Sequence, residues 1–297
     1  MTTRFRNSRP CGLCHNDLFE SVGNPKLAHL CRCATCGLVC VRHFPDPEEL
    51  RKVYSEDYFK SHDSALMGYD DYARDRYCIL KTASRRLDTI ERYTPARGRL
   101  LDVGCALGFF LEEARRRGWE VDGVDISAHA IQYANEQLGI PARCGMLREA
   151  GFERNSFDVL TMWDVIEHVT DPVEELKYCR DLLKARGLIV LSTPDVASLV
   201  AKMTGAKWMG FKLAEEHLYY FSKRTISLAL EKAGFEVLEV TSIGKDVALD
   251  FFARRLSIYA GPAAKLLGKG VDVAGLDRAA VYVNPRDILC AVARKVD

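Results

Sequence analysis

The chain has 297 residues, 48% of them hydrophobic, and a formal net charge of +1. That is apolar material for one large domain plus a small module, and a balance so close to neutral gives no global field to draw the protein to nucleic acid. No apolar run approaches the ~18 residues of a membrane span, and the polar N-terminal stretch has no signal-peptide core, so a cytoplasmic, soluble protein is expected.

Six of the eleven cysteines lie near the start, at 11, 14, 31, 33, 36 and 40. Cys11-Gly-Leu-Cys14 and Cys33-Ala-Thr-Cys36 form two C-x2-C pairs separated by 18 residues. That is the spacing of a four-thiolate zinc ribbon, in which two knuckles each offer two sulfurs to a tetrahedral ion. So short a segment cannot bury its own core, and metal would supply its folding energy. Four thiolates leave no open position, which favours a structural Zn2+ over a catalytic one. Cys31 and His15 are alternative ligands; disulfides or a redox pair are the competing readings, and an intracellular setting argues against disulfides.

A Pro- and Tyr-rich connector follows: Phe44-Pro45-Asp46-Pro47, then Tyr54, Tyr58-Phe59 and Gly68-Tyr69. Tyr69 and Tyr72 read as packing aromatics rather than a cover over a ligand. From Asp71 to Tyr93, Leu80, Ala83, Leu87 and Ile90 recur at helical spacing, and Pro95 and Gly98 end that helix.

The next stretch organises the chain. Leu100–Val103 reads as a buried strand, Gly104–Gly108 as a tight turn and Leu107–Gly118 as a helix. Asp125 ends the following apolar run, 21 positions after Gly104. A strand, a Gly turn, a helix, a strand and an acid make a nucleoside-binding unit. Gly104 lets backbone pass close under a ligand, Asp125 can accept from both hydroxyls of a ribose, and Asp102 can orient the loop or reach a ligand ammonium. A dinucleotide fingerprint wants glycine at 104, 106 and 109, whereas this chain has Gly104, Ala106 and Phe109. Its second glycine is Gly108. In this it resembles the class I S-adenosylmethionine (SAM) methyltransferases, whose first motif is usually D-x-G-x-G-x-G; Asp102, Gly104 and Gly108 match, and Ala106 replaces the middle glycine. The resemblance implies SAM as cofactor, held by Asp102, Gly104, Ala106, Gly108, Asp125 and Ile126.

Glu120–Asp125 is the second strand, a helix runs from the Ser127 cap to Leu138, and Pro141–Cys144 is a short third strand. Met146 and Leu147 follow where the resemblance places the adenine; Gly145-Met146 stands where many relatives carry an Asp, leaving Met146 and Leu147 as apolar cover. Phe157–Val165 reads as a central parallel strand, and Trp163-Asp164-Val165-Ile166-Glu167-His168 resembles the fourth-strand motif of one large methyltransferase subgroup, with Trp163 beside the cofactor. Asp171, Pro172 and Glu174 form a helix start with cap, N1 proline and capping-box acid. Gly187–Thr193 is the fifth strand.

Beyond Pro194 comes a segment with Trp208 and then Glu215-Glu216-His217-Leu218-Tyr219-Tyr220-Phe221. It leaves the carboxyl end of the fifth strand, the edge where open α/β sheets bind ligands. Ser222 caps a further helix that carries Ile226, Leu230 and Ala233 and ends at Gly234; Phe235–Ile243 is the sixth strand and Asp287–Val296 the last. Between those two strands, Phe251, Phe252, Leu256 and Tyr259 alternate with Arg254, Arg255, Lys265 and Lys269. A core-packed helix with solvated basic residues is the favoured reading, ahead of a surface helix that meets a lipid or lipid-linked substrate. Arg115-Arg116-Arg117 reads as a solvated last helical turn.

The expected fold is an α/β, doubly wound, Rossmann-like sheet of seven strands with a small N-terminal zinc ribbon; the resemblance implies that the last strand is antiparallel. The expected divisions are 1–44 for the ribbon, 45–98 for connector and leading helix, and 99–297 for the SAM domain, with insertions at about 195–221 and 245–284. Together the ribbon, connector, SAM domain and Trp…Glu-His-Leu-Tyr-Tyr-Phe segment resemble a bacterial-type methyltransferase family active on sugars, exopolysaccharides or secondary metabolites. That implies a small-molecule, glycan or lipid-linked acceptor, no nucleic acid, and at most peripheral membrane contact. For a hydroxyl acceptor a base should take the proton. His217 is the first candidate, with Glu216 to orient it and Tyr219 to line the acceptor pocket; His168 is the second. The rivals are an RNA base methyltransferase with a zinc module, against which the neutral charge argues, and a non-catalytic SAM-binding subunit.

Overall fold

The computed structural model describes residues 3–7, 9–44, 75–212, 217–249 and 279–296. The connector at 45–74, with Tyr69 and Tyr72, Glu215 and Glu216, and the Phe251–Lys269 stretch lie outside them. In chain order the N-terminal part has β1 (Arg4–Arg6), β2 (Leu18–Ser21), β3 (Leu30–Cys33) and β4 (Val39–Val41). The larger part runs α1 (Arg76–Tyr93), β5 (Arg99–Val103), α2 (Phe109–Arg116), β6 (Glu120–Asp125), α3 (Ala128–Leu138), β7 (Ala142–Cys144), β8 (Phe157–Trp163), α4 (Pro172–Leu182) and β9 (Leu183–Pro194). Then come α5 (Leu199–Thr204), α6 (Met209–Lys212), β10 (Tyr219–Tyr220), α7 (Lys223–Lys232), β11 (Phe235–Ser242), β12 (Lys245–Ala248), β13 (Ala280–Val283) and β14 (Ile288–Lys295). Among the described residues no helix is long and apolar enough to cross a membrane.

The helices begin and end where side-chain chemistry dictates. Ser127 accepts from Ala130 N to cap α3, and Gly139 closes it at φ +61°. Asp171 accepts from Glu174 N at 3.1 Å to open α4, with Pro172 at its first turn. Glu174 does not complete a capping box; its carboxylate pairs with Lys177 at 2.7 Å instead. Ser222 and Thr225 make the reciprocal box at α7. Along α1 the buried stripe is Cys78, Thr82, Ala83, Leu87 and Ile90.

Seven strands form one sheet in the order β11-β14-β9-β8-β5-β6-β7. β7, β6, β5, β8 and β9 are parallel, and β14 is antiparallel to both β9 and β11. This is the Rossmann-like sheet with an antiparallel last strand. β8, Phe-Asp-Val-Leu-Thr-Met-Trp, is buried at every position but Asp158, as a strand covered on both faces must be. One face packs on α4 and α7, in a core continuous with the N-terminal module. The other packs on α1, α2 and α3. Strand order reverses between β5 and β8, which opens a crevice at their carboxyl ends.

β9 starts earlier than the sequence pattern suggests, at Leu183 rather than Gly187. Phe157 pairs with Leu183 but Val159 with Leu188, so the extra residues are absorbed in a bulge containing Arg186 at φ +57°. β12 and β13 pair as a hairpin flanking the stretch read as an insertion. The hairpin is tied to α1 by Arg85 Nε on Asp246 at 2.8 Å and by Asp246 N donating to Thr82 at 2.8 Å.

The N-terminal strands form an antiparallel sheet, β1-β2-β3-β4, and β10 completes it as a fifth strand. A two-residue piece from beyond the fifth strand of the large sheet thus belongs, by hydrogen bonding, to the cysteine module.

Candidate active site and cysteine centre

The turn after β5 is held by backbone geometry that few residues tolerate. Gly104 sits at φ +75°, and a Cβ there would lie 2.5 Å from Val165 Cγ2. Its bareness is therefore demanded by the loop after β8 as well as by anything lying above it. Ala106 adopts φ +47° despite its Cβ, at a cost of about 1 kcal/mol. Its amide donates to Asp125 Oδ2 at 2.9 Å, which fixes the turn. Gly108, at φ +84°, starts α2 where a Cβ would come 3.2 Å from Ala134 Cβ.

Asp125 stands at the end of β6, with Ser127 N donating to its other oxygen at 2.9 Å. Burial raises its pKa, opposed by these amide bonds. Each oxygen keeps a lone pair for a ribose hydroxyl. Asp102 is buried, and the Thr161 hydroxyl donates to it at 2.6 Å. Burial pushes this carboxyl to about 7, so a ligand cation would draw it back into its ionised form. Ile126 and Met146 expose apolar surface, whereas Leu147 is turned into the core.

Trp163 packs edge-to-face on Phe110, and the Arg86 guanidinium lies over its ring at 4.2 Å from the centroid. Arg86, from α1, carries no motif and was invisible in the sequence. Its buried Nε has no hydrogen-bond partner among the described residues. It borders a cavity of about 80 Å³ shared with Thr82, Trp163, Gly244, Tyr282 and Cys290. A buried guanidinium Nε without a hydrogen-bond partner can donate to a ligand carboxylate.

Asp164, just past β8, takes φ +59°. Its amide reaches Ser192 O, Ser192 Oγ donates to its carboxylate at 2.8 Å, and Lys245 Nζ reaches the other oxygen at 2.7 Å. Burial works to raise this carboxyl, but Lys245 and then Arg86 hold it well below the usual carboxylate range.

Beside it Glu167, His168 and His217 converge, their carboxylate oxygens and ring nitrogens within 4.8 Å of one another. The two imidazoles meet edge-to-face with centroids 4.7 Å apart. His217 is only 3% exposed. Its Nδ1 lies 3.2 Å from Gly210 O, which assigns the proton to Nδ1 and leaves Nε2 as acceptor. Burial pulls His217 down to about 4. Glu167 is 1% exposed, and neither of its oxygens has a hydrogen-bond partner among the described residues. Burial, and then the charge of Asp164, push it up to about 8. Near neutral pH the cluster therefore combines an unprotonated imidazole with a protonated carboxyl.

The Glu167 carbonyl accepts from Leu218 N at 2.9 Å and Tyr219 N at 3.1 Å, which draws the His217 segment onto the loop after β8. Tyr219 itself is 1% exposed and faces the cysteine module. Its hydroxyl donates to Thr170 O at 3.0 Å and its ring packs on Phe44 at 5.4 Å. Glu216 lies outside the described residues.

In the module, Cys11 and Cys36 sulfurs are 3.4 Å apart, as are those of Cys14 and Cys33, and all four lie within 4.8 Å of one another. A tetrahedral zinc with ~2.3 Å bonds spaces its sulfurs by roughly 3.8 Å, so the donor set fits that ion. Cys31 faces Cys40 across β3 and β4 at 3.7 Å and stands outside this quartet, as does His15.

Comparison with known proteins adds a family. Residues 71–240 match the model of a family described as a methyltransferase domain; the cysteine module precedes that match. A ubiquinone biosynthesis O-methyltransferase of Coxiella burnetii is 28% identical over 170 residues, 53% of this chain and 72% of the relative. One from Neisseria meningitidis is 36% identical over 117 residues, 36% of this chain and 49% of the relative. Among solved structures, a SAM-dependent methyltransferase of Archaeoglobus fulgidus superposes with a TM-score of 0.51 at 18% identity, covering 82% of this chain and 99% of the other. A Haemonchus contortus phosphoethanolamine N-methyltransferase bound to SAM gives 0.51 at 18%, covering 84% and 57%. At these identities the structures speak to the fold.

Proposed function

Because the chain belongs to the SAM-dependent methyltransferases, we propose that it transfers a methyl group to a hydroxyl of a small-molecule acceptor. One observation carries this reading: His217, its Nδ1 engaged with Gly210 O, converges with Glu167 and His168 past the end of β8, where burial lowers its pKa. A hydroxyl needs a base to become nucleophilic, and an imidazole that is unprotonated near pH 7 can serve. The O-methyltransferase names of the Coxiella and Neisseria relatives support the same acceptor chemistry. Phenols and sugar hydroxyls both meet it.

In this reading Asp125 accepts from the ribose hydroxyls, Arg86 pairs with the methionine carboxylate, and Ile126 and Met146 cover the adenine. Asp102, buried under the turn, supplies negative charge toward the ligand's cationic groups. SAM brings a methyl group already made electrophilic by its sulfonium. His217 takes the acceptor proton on Nε2, and the Glu167 carboxyl lies within 4.8 Å of a ring nitrogen. His168 borders the same space as a second proton carrier. Cys11, Cys14, Cys33 and Cys36 would hold one structural zinc.

The test is transfer from methyl-labelled SAM to a panel of phenols, sugars and nucleotide sugars, with RNA as the competing substrate. Asp125→Ala should remove two charge-assisted hydrogen bonds worth roughly 1.5–3 kcal/mol each. Calorimetric SAM affinity that is unchanged in Asp125→Ala sinks the ribose role, and label appearing only in RNA sinks the acceptor class.

A further inference from the structure

We propose that the cysteine module is a positioning element of the catalytic centre, acting on His217 through β10 and Tyr219. The proposal rests on His217 being the base and goes beyond that assignment. β10 begins two residues after His217 and pairs with β4, Tyr219 opposite Cys40 and Tyr220 opposite Val39. Val41 N donates to Leu218 O at 3.0 Å, so the pairing reaches the residue next to His217. On the other side, Glu167 O accepts from Leu218 N and Tyr219 N. The segment is clamped between the module and the loop that carries Glu167 and His168.

Tyr219 locks the clamp from the first knuckle. Gly12, between Cys11 and Cys14, has no Cβ to spare, since one would lie 2.7 Å from the Tyr219 hydroxyl oxygen. That hydroxyl donates to Thr170 O, which Arg9 Nη2 also reaches at 2.6 Å, while the Arg9 guanidinium lies over Phe44. The sulfur quartet fixes both parts of this seat. Cys11 and Cys14 bracket Gly12, and Cys33 and Cys36 bracket the turn between β3 and β4. Strands of three and four residues hold a register weakly by themselves, so thiolate–metal bonds would add to the core contacts that keep β4 in place for β10. A base displaced by about 1 Å can lose on the order of 10²-fold in rate, which gives the module leverage over chemistry it does not touch.

The experiment compares the zinc-loaded full-length chain with the same chain stripped by a chelator under reducing conditions. Hydrogen exchange is followed by mass spectrometry in peptides covering 164–171 and 217–221 and in those covering β5 and β8. Stripping should raise exchange roughly tenfold or more at 164–171 and 217–221, leave β5, β8 and calorimetric SAM affinity unchanged, and reverse with one equivalent of zinc. Unchanged exchange in those two peptides overturns the proposal, and so does opening of the whole sheet, which would make the module a general stabiliser. A chain that binds no zinc overturns the metal's part in it and leaves the methyltransferase reading standing. The zinc-loaded Tyr219→Phe variant keeps the ring on Phe44 and loses only the bond to Thr170 O. It should show the same local rise, and native protection in it overturns the coupling.

Discussion

Glu167→Gln tests the electrostatics of the acid–base cluster without disturbing its shape. In the folded chain Glu167 keeps its proton up to about pH 8, against 4.5 for an ordinary glutamate. A folded pKa above the unfolded one gives stability that is complete below about pH 4.5 and is lost as pH rises toward 8. Over that whole span the loss amounts to about 5 kcal/mol for a group so completely buried. His217 works in the opposite window: with a folded value of about 4 against 6.5, its destabilisation grows as pH falls from 6.5 to 4. Between pH 6.5 and 8 the histidine contributes little, and Glu167 should remove about 2 kcal/mol. Asp102, at about 7, contributes in the lower part of this window, but equally in wild type and variant. Urea unfolding of both proteins at pH 6.5 and pH 8 measures the difference. Wild type should lose about 2 kcal/mol more than Glu167→Gln across the interval. Parallel losses would mean that Glu167 is ionised in the folded chain, and the picture of a protonated carboxyl beside a neutral imidazole would fall.

Ala106→Gly should raise stability by up to about 1 kcal/mol, because glycine takes φ +47° without the Cβ penalty; a lower Tm would show that the turn is unstrained. Arg86→Met should keep the packing on Trp163 and weaken SAM binding by roughly 1.5–3 kcal/mol. The Arg86 charge also helps hold the Asp164 carboxyl down, so ligand-free stability is measured alongside, and calorimetry showing native SAM affinity would refute its role. His217→Asn should lower kcat by roughly 10²–10⁴-fold with SAM affinity intact; near-native kcat would shift the base to His168.

Sheet and turns were legible because their signals are local. Gly104, Gly108 and Asp125 announce themselves by spacing, and the caps at Ser127, Asp171 and Ser222 by chemistry. Most strand limits follow from continuous apolar runs, and β9 departs only where a bulge adds residues that no run marks. The four cysteines were legible for the same reason. What escaped notice depends on long-range contact. Arg86 is one of many charged residues on an amphipathic helix, and only the fold puts it over Trp163. Lys245 pairs with Asp164 across 81 positions. Tyr219, read as part of an acceptor pocket because it sits near His217, points into the cysteine module: Tyr220 takes the His217 side, ring centroids 5.9 Å apart, and adjacent residues of a strand face opposite ways. Its partners, Gly12 and Phe44, lie 207 and 175 positions away, where no pattern in one sequence could reach.

The charge states at the crevice make sense only together. A sulfonium ligand is a cation, and a protonated imidazole beside it would weaken its binding by like-charge repulsion. His217 avoids that conflict because burial keeps it neutral near pH 7, whereas a solvated histidine would be partly charged there. Glu167 avoids the opposite one. Ionised, it would be repelled by Asp164, and its raised pKa spares the chain a second buried negative charge there. Lys245 then holds Asp164 as a fixed negative charge at this end of β8. When the methyl group leaves, the sulfonium's positive charge goes with the reaction, and the same negative surroundings favour a proton on His217. That requires the histidine to be held close to Asp164 and Glu167, the constraint that β10 and the module behind it impose.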